Sequence, residues 1–136
     1  MSSYQVGNNS PIRLKVTIST VGHAATAFFL NDPANDGKFL APPKSNSFSN
    51  TDNAGWRQIN TGDPVKDRTV KVRTILTFPS GMPDENTFNL AVEQAKRSYT
   101  VQLSGGKPTP MSFDFTVNSI FGIVNVAEFV SLINFT

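Results

Sequence analysis

The chain contains no cysteine. That excludes a disulfide framework, a thiol nucleophile and cysteine-ligated zinc. Histidine occurs once, at His23. Any Ser-His-Asp arrangement would have to run through it, and no nucleophile-elbow pattern accompanies it. Charge is sparse, at 16% of 136 residues, against the usual quarter. Long apolar runs are missing too. Asn125, Glu128 and Ser131 interrupt the longest one, which excludes a membrane-spanning helix. The first residues, Met1-Ser2-Ser3-Tyr4-Gln5, lack the charged and apolar regions of a secretion signal. The expectation is a soluble chain made in a cytoplasm. Cations run out at Lys107, and residues 108–136 carry only Asp114 and Glu128 among many Met, Phe, Ile, Val and Leu.

What is present fits one domain. The net charge of +2 and pI near 9.1 are compatible with a polyanion partner without specifying one. Ile12, Leu14, Val16 and Ile18 alternate with Arg13, Lys15, Thr17 and Ser19, which predicts a strand with one apolar and one polar face. Residues 24–30 predict a second strand. The Asn-Asp-Pro-Ala-Asn-Asp-Gly run at 31–37 is strong turn chemistry. Residues 38–41 read as a strand edge, 42–55 as a long Ser- and Asn-rich loop, 56–59 as a brief strand and 62–64 as a turn. Val70, Val72, Leu76 and Phe78 share a face opposite Lys71, Arg73 and Thr77, which predicts a strand over 69–78.

Residues 87–103 change phase. Phe88, Leu90 and Val92 are apolar at even positions, but Tyr99, Val101 and Leu103 at odd ones, and one regular strand cannot do that. A bulge or turn near Gln94 to Arg97 resolves it. So does a helical turn through Phe88, Ala91, Val92 and Ala95. Residues 104–108 read as a turn, and Met111, Phe113, Phe115 and Val117 as one face of a further strand. Val126, Phe129, Val130 and Ile133 then fall at i, i+3, i+4 and i+7, a helical face, with Asn125 and Glu128 spaced like a capping box. Their β-branched side chains argue the other way. The expected fold is α+β, an antiparallel sheet with an N-terminal hairpin and a C-terminal helix that packs across a dimer. An all-β sandwich is the alternative.

Most chemical motifs fail on inspection. Residues 32–43 lack the calcium-loop oxygens at Ala34 and Pro43. Gly106-Lys107 lacks the first glycine and the hydroxyl of a phosphate loop, because Val101 and Pro108 stand there. No metal site, cofactor or enzymatic activity is expected. Trp56 reads either as a core residue or as a platform for a sugar or base among Asn53, Gly55, Arg57 and Gln58. The polar strand faces are the best functional candidate. If the strands bearing Arg13, Lys15, Lys71 and Arg73 share one sheet, four cations lie on one surface, joined by Thr100, Gln102, Ser112 and Thr116. Such a surface suits a phosphate backbone, although a solvated sheet face is ordinary.

The basic-polar runs Arg68-Thr69-Val70-Lys71-Val72-Arg73 and Lys96-Arg97-Ser98-Tyr99-Thr100-Val101-Gln102-Leu103, followed by 111–118 and the apolar close, resemble the coat proteins of single-stranded RNA bacteriophages. The similarity covers about half the chain and is one of pattern and order. It implies a virion subunit that forms homodimers and closes them into a capsid around single-stranded RNA. It places Lys71, Arg73, Thr100 and Gln102 on the RNA face, with Arg13 and Lys15 as secondary contacts. It places Val126, Phe129, Val130 and Ile133 in the dimer interface. The shorter closing segment, the 104–110 turn and the 42–55 loop depart from that family's plan. The rival expectation is a non-enzymatic β-sandwich module that binds carbohydrate through Trp56 and its Asn-rich loop.

Overall fold

The computed structural model describes residues 2–6, 11–32, 38–39, 47–49, 55–59, 65–78, 82, 84–107, 111–122 and 125–136. Residues 33–37 of the turn expected at 31–37, most of the calcium-like stretch 32–43 and the turn at 62–64 lie outside these; Asn31 and Asp32 pair with Phe39 and Lys38. Twelve strands and one helix occur among the described residues: β1 (Ser2–Val6), β2 (Arg13–Thr17), β3 (His23–Asp32), β4 (Lys38–Phe39), β5 (Ser47–Ser49), β6 (Arg57–Gln58), β7 (Thr69–Thr77), α1 (Glu85–Ser98), β8 (Thr100–Ser104), β9 (Gly106–Lys107), β10 (Met111–Phe113), β11 (Thr116–Ile120) and β12 (Val126–Phe135). The protein is mainly β with one helix, closer to the all-β alternative than to the α+β expectation.

The strands form two sheets around one core. The larger runs β4-β3-β7-β12-β1-β9, with β5 also on β3 and β11 also on β12. The smaller runs β10-β8-β2-β6. Alternation explains the core. Leu14 and Val16 of β2 and Val101 and Leu103 of β8 face Phe28, Val72, Leu76, Phe129 and Ile133 of the larger sheet, all fully buried. The strands expected to make the N-terminal hairpin, β2 and β3, do not pair. β2 pairs with β8 and β6 in the smaller sheet, and β3 with β7, β4 and β5 in the larger. β1 pairs with β12 and β9.

The C-terminal helix is replaced by a ten-residue strand, β12, which pairs with β7 along nine residues. Its inner face is Ala127, Phe129, Ser131, Ile133 and Phe135, all buried, and its outer face holds half-buried Val126, Glu128 and Val130. A strand apolar on both faces satisfies a helical template by accident, and the β-branched residues decide for the strand. Asn125 caps no helix. It sits at φ 33° in the β11–β12 turn, where its Oδ1 accepts the Gly122 N–H (3.1 Å) and its carbonyl accepts the Phe78 N–H (3.2 Å).

The phase change at 87–103 is resolved by α1. It buries Phe88, Ala91, Val92 and Ala95, the four residues of the helical reading. Asp84 Oδ1 accepts the Thr87 N–H (2.7 Å) at the start, satisfying an orphan donor of the first turn. Lys96 and Arg97 lie in the last turn, where the helix dipole favours cations. The helix closes one end of the core: Phe88 contacts Phe78 (5.4 Å) and Phe121 (5.6 Å) edge-on or tilted, and Ser98 Oγ accepts the Ser19 N–H (2.8 Å).

Two further features tie the sheets together. The chain leaves β8 for β9, and so one sheet for the other, at Gly105. There φ is +99°, and a Cβ would stand 2.1 Å from the Pro11 carbonyl oxygen. Inside the core, Thr26 Oγ1 lies 2.8 Å from Thr74 Oγ1, which lies 2.7 Å from the Tyr99 hydroxyl. All three are buried, so the chain of hydroxyls satisfies groups that would otherwise be costly there.

Candidate nucleic-acid interface

The outer face of the smaller sheet is polar because its inner positions take the apolar residues. Cross-strand register places Gln58, Arg13 and Ser104 in one row, and Lys15, Gln102 and Ser112 in the next. Thr17 and Thr100 form the third. Trp56, two residues before Gln58, extends the second row. The Lys15 Nζ stands 5.8 Å from the centre of its ring, within cation–π range. Trp56 is 40% exposed, so it is a surface residue rather than a core one. Gln102 Nε2 donates to Ser112 Oγ at 3.4 Å. Arg57, at the edge of the sheet, is exposed as well. None of the described residues in these rows is a carboxylate.

Lys71 and Arg73 lie elsewhere. They project from the outer face of the larger sheet, across the core from Arg13 and Lys15, so the four cations do not share a surface. Arg73 Nε and Nη2 reach one oxygen of Glu128 at 2.8 and 2.7 Å. Lys71 Nζ lies 5.8 Å from the Phe39 ring. Thr116 belongs to this second face, opposite Val130. Strand pairing over long separations decides this division, and alternation within each strand carries no trace of it. The proposed dimer residues divide likewise. Phe129 and Ile133 are at 0% exposure inside the protein's own core, while Val126 and Val130 face outward.

No family model, curated protein or solved structure matches this chain. Its chemistry must therefore be read from its own surface. No three His, Asp or Glu side chains converge among the described residues. His23 is exposed at the start of β3, where its carbonyl accepts from Thr77 Oγ1 at 3.4 Å. A shallow depression of about 400 Å³ lies where β11 gives way to β1 beside β12, lined by Ser2, Asp114, Phe115, Thr116, Val130 and Leu132. It holds one carboxylate and no paired base. None of the described helices is long and apolar enough to cross a membrane.

The rows of the smaller sheet combine what a single-stranded polyanion requires. Two cations answer phosphates, an exposed indole offers a face for a base, and amides and hydroxyls supply hydrogen bonds. Sequence reading assigned Trp56 and the cationic strands to rival functions. The structure puts Trp56 beside Lys15, and adds Gln58 and Ser104. The alternation of Trp56 and Gln58 with Arg57 and Ile59 was the available signal for Gln58.

Proposed function

We propose that this chain is a non-enzymatic structural protein, a coat-type subunit that self-associates and holds single-stranded RNA against the outer face of its smaller sheet. The observation that carries the reading is the Trp56–Lys15–Gln102–Ser112 row beside Arg13. An aromatic platform flanked by cations and neutral hydrogen bonders is the composition that tracks an unpaired strand: stacking on one indole is worth about 1–3 kcal/mol per base. The contact residues are Arg13, Lys15, Trp56, Thr100, Gln102 and Ser112. Lys71 and Arg73 are not among them, since they face away. Localisation to a virion built in a host cytoplasm belongs to the same proposal.

The test is direct. The purified protein co-elutes with RNA at low salt, releases it at high salt, and quenches its Trp56 fluorescence when an RNA oligomer is added. Each phosphate contact contributes roughly 0.7 to the slope of log affinity against log salt, so Lys15→Ala flattens that slope by about this amount. A protein that binds no RNA at low salt would defeat the proposal.

A second reading rests on the exposure of Trp56, with the amide of Gln58 two residues on and that of Gln102 beyond Lys15, as a carbohydrate-binding platform. It requires Trp56 quenching by a neutral glycan and no dependence on Arg13 or Lys15.

A further inference from the structure

The two sheets treat water differently. The smaller one has an ordinary polar outer face, with Trp56 as its apolar member among the described residues. The larger one is mixed. Its outer positions on four adjacent strands include Ala25, Ala27 and Phe29 on β3, Ile75 on β7, Val126, Val130 and Leu132 on β12 and Ile120 on β11, interspersed with Lys71, Arg73, Glu128, Thr116 and Asn118. Leu132 is 38% exposed and Ile120 66%. Antiparallel sheets that face solvent place polar residues there, and contiguous apolar patches mark interaction surfaces.

From this face we infer that the protein forms a two-fold dimer, large sheet against large sheet, through the outer surface of β3, β7, β12 and β11. The inference rests on the self-association in the proposed function and names its surface. Three observations favour a second copy as the occupant. The first is size. Four strands spaced about 4.8 Å and five outward positions about 6.7 Å apart cover roughly 19 by 27 Å. Two such faces bury on the order of 1,000 Å², the minimum expected of a biological interface. The second is charge. Arg73 and Glu128 lie side by side in the middle of the face. A two-fold axis perpendicular to the line between them sets each arginine over the other copy's glutamate, so the face complements itself. The third is the rim. At one end Thr69 donates from N to Asn31 Oδ1 (2.7 Å) and from Oγ1 to Asn134 Oδ1 (2.6 Å), and at the other lie His23 and Thr77. A polar border of this kind, here the Asn31–Thr69–Asn134 row, is common at interfaces.

The roles of Val126 and Val130 survive in this arrangement, now on a strand. Those of Phe129 and Ile133 do not.

The experiment is sedimentation equilibrium of the full chain, nuclease-treated and at high salt, over a wide concentration range. The wild type is expected to be dimeric, and Val130→Asp and Leu132→Glu each to raise the dissociation constant at least ~10-fold while keeping a cooperative thermal transition. Arg73→Glu and Glu128→Arg are each expected to be monomeric alone and to pair when mixed, because one chain then presents two acids and the other two bases. A wild type that stays monomeric throughout overturns the inference. So does a dimer indifferent to either apolar variant, or a mixture of the charge variants that fails to pair. A dimer that binds no RNA defeats the RNA reading and leaves this interface standing. A monomer that binds RNA does the reverse.

Discussion

The Tyr99 hydroxyl lies 2.7 Å from Thr74 Oγ1, deep between the two sheets. Tyr99 joins α1 to the β8 strand of the smaller sheet, Thr74 is in the middle of β7 in the larger, and Thr26 extends the link to β3. Removing the middle member strands two buried hydroxyls. Thr74→Val is expected to cost about 2–4 kcal/mol and Tyr99→Phe about 1 kcal/mol, read as shifts in the urea midpoint at constant slope.

The same tyrosine sets an alkaline limit. Burial pushes its pKa up from 10.0 to about 12, partly opposed by the Thr74 hydrogen bond. The folded value exceeds the unfolded one, so the full stability is present below pH 10 and falls as pH rises toward 12. The loss is on the order of 2–3 kcal/mol. Denaturant titrations at stepped alkaline pH are expected to show it, and Tyr99→Phe to lack this component.

Asp84 gives the opposite dependence. Its carboxylate accepts the Thr87 backbone N–H, and that bond holds its pKa below the usual value. The cap's contribution is present above the unfolded pKa and is lost as pH falls through the folded one. Asp84→Asn keeps the hydrogen-bond acceptor and is expected to remove the acid sensitivity. Asp84→Ala is expected to lower the melting temperature at neutral pH. Melting curves on the acid side of neutrality check both.

Phe129 and Val130 are neighbours with opposite fates. Phe129→Ala empties a fully buried site beside Tyr99 and Phe115, whose ring centroids are 4.7 and 5.8 Å away. A loss of about 3–5 kcal/mol is expected. Val130→Ala, on the outer face, is expected to cost the isolated protomer under about 1 kcal/mol. Measured above the dimer dissociation constant, it costs more. A helix would have placed both on one face, and the two losses would then resemble each other.

Arg13→Ala with Lys15→Ala is expected to abolish most RNA affinity, whereas Lys71→Ala with Arg73→Ala leaves it within about twofold in anisotropy titrations at fixed salt. This reverses the weighting that the coat-protein resemblance implied.

Strand-level structure was legible in the sequence wherever one face was apolar and the other was not. β2 and β7 follow directly from Leu14 and Val16 and from Val70 and Val72, whereas the single strand expected through Met111, Phe113, Phe115 and Val117 is split into β10 and β11, which join different sheets. α1 was visible as Phe88, Ala91, Val92 and Ala95, though a bulge fitted the phase change equally well. β12 was not legible, because Val126 and Val130 outside and Phe129 and Ile133 inside reproduce a helical spacing. Sheet membership was not legible either. β2 finds its partner in β8, more than eighty residues on, which brings Arg13 to Ser104 and Lys15 to Gln102, while the separate pairing of β7 with β12 brings Arg73 to Glu128. The exposure of Trp56 beside Lys15 was likewise set by its neighbour strand and not by its own surroundings in the chain.

Gly105 belongs to a corner through which a single stretch of backbone serves both layers, and the passage from β10 to β11 makes a second such corner. Layers stitched in this way cannot slide past one another or melt in turn. Heat or denaturant should take the molecule apart in one cooperative step, with no half-folded form in which either layer survives the loss of the other.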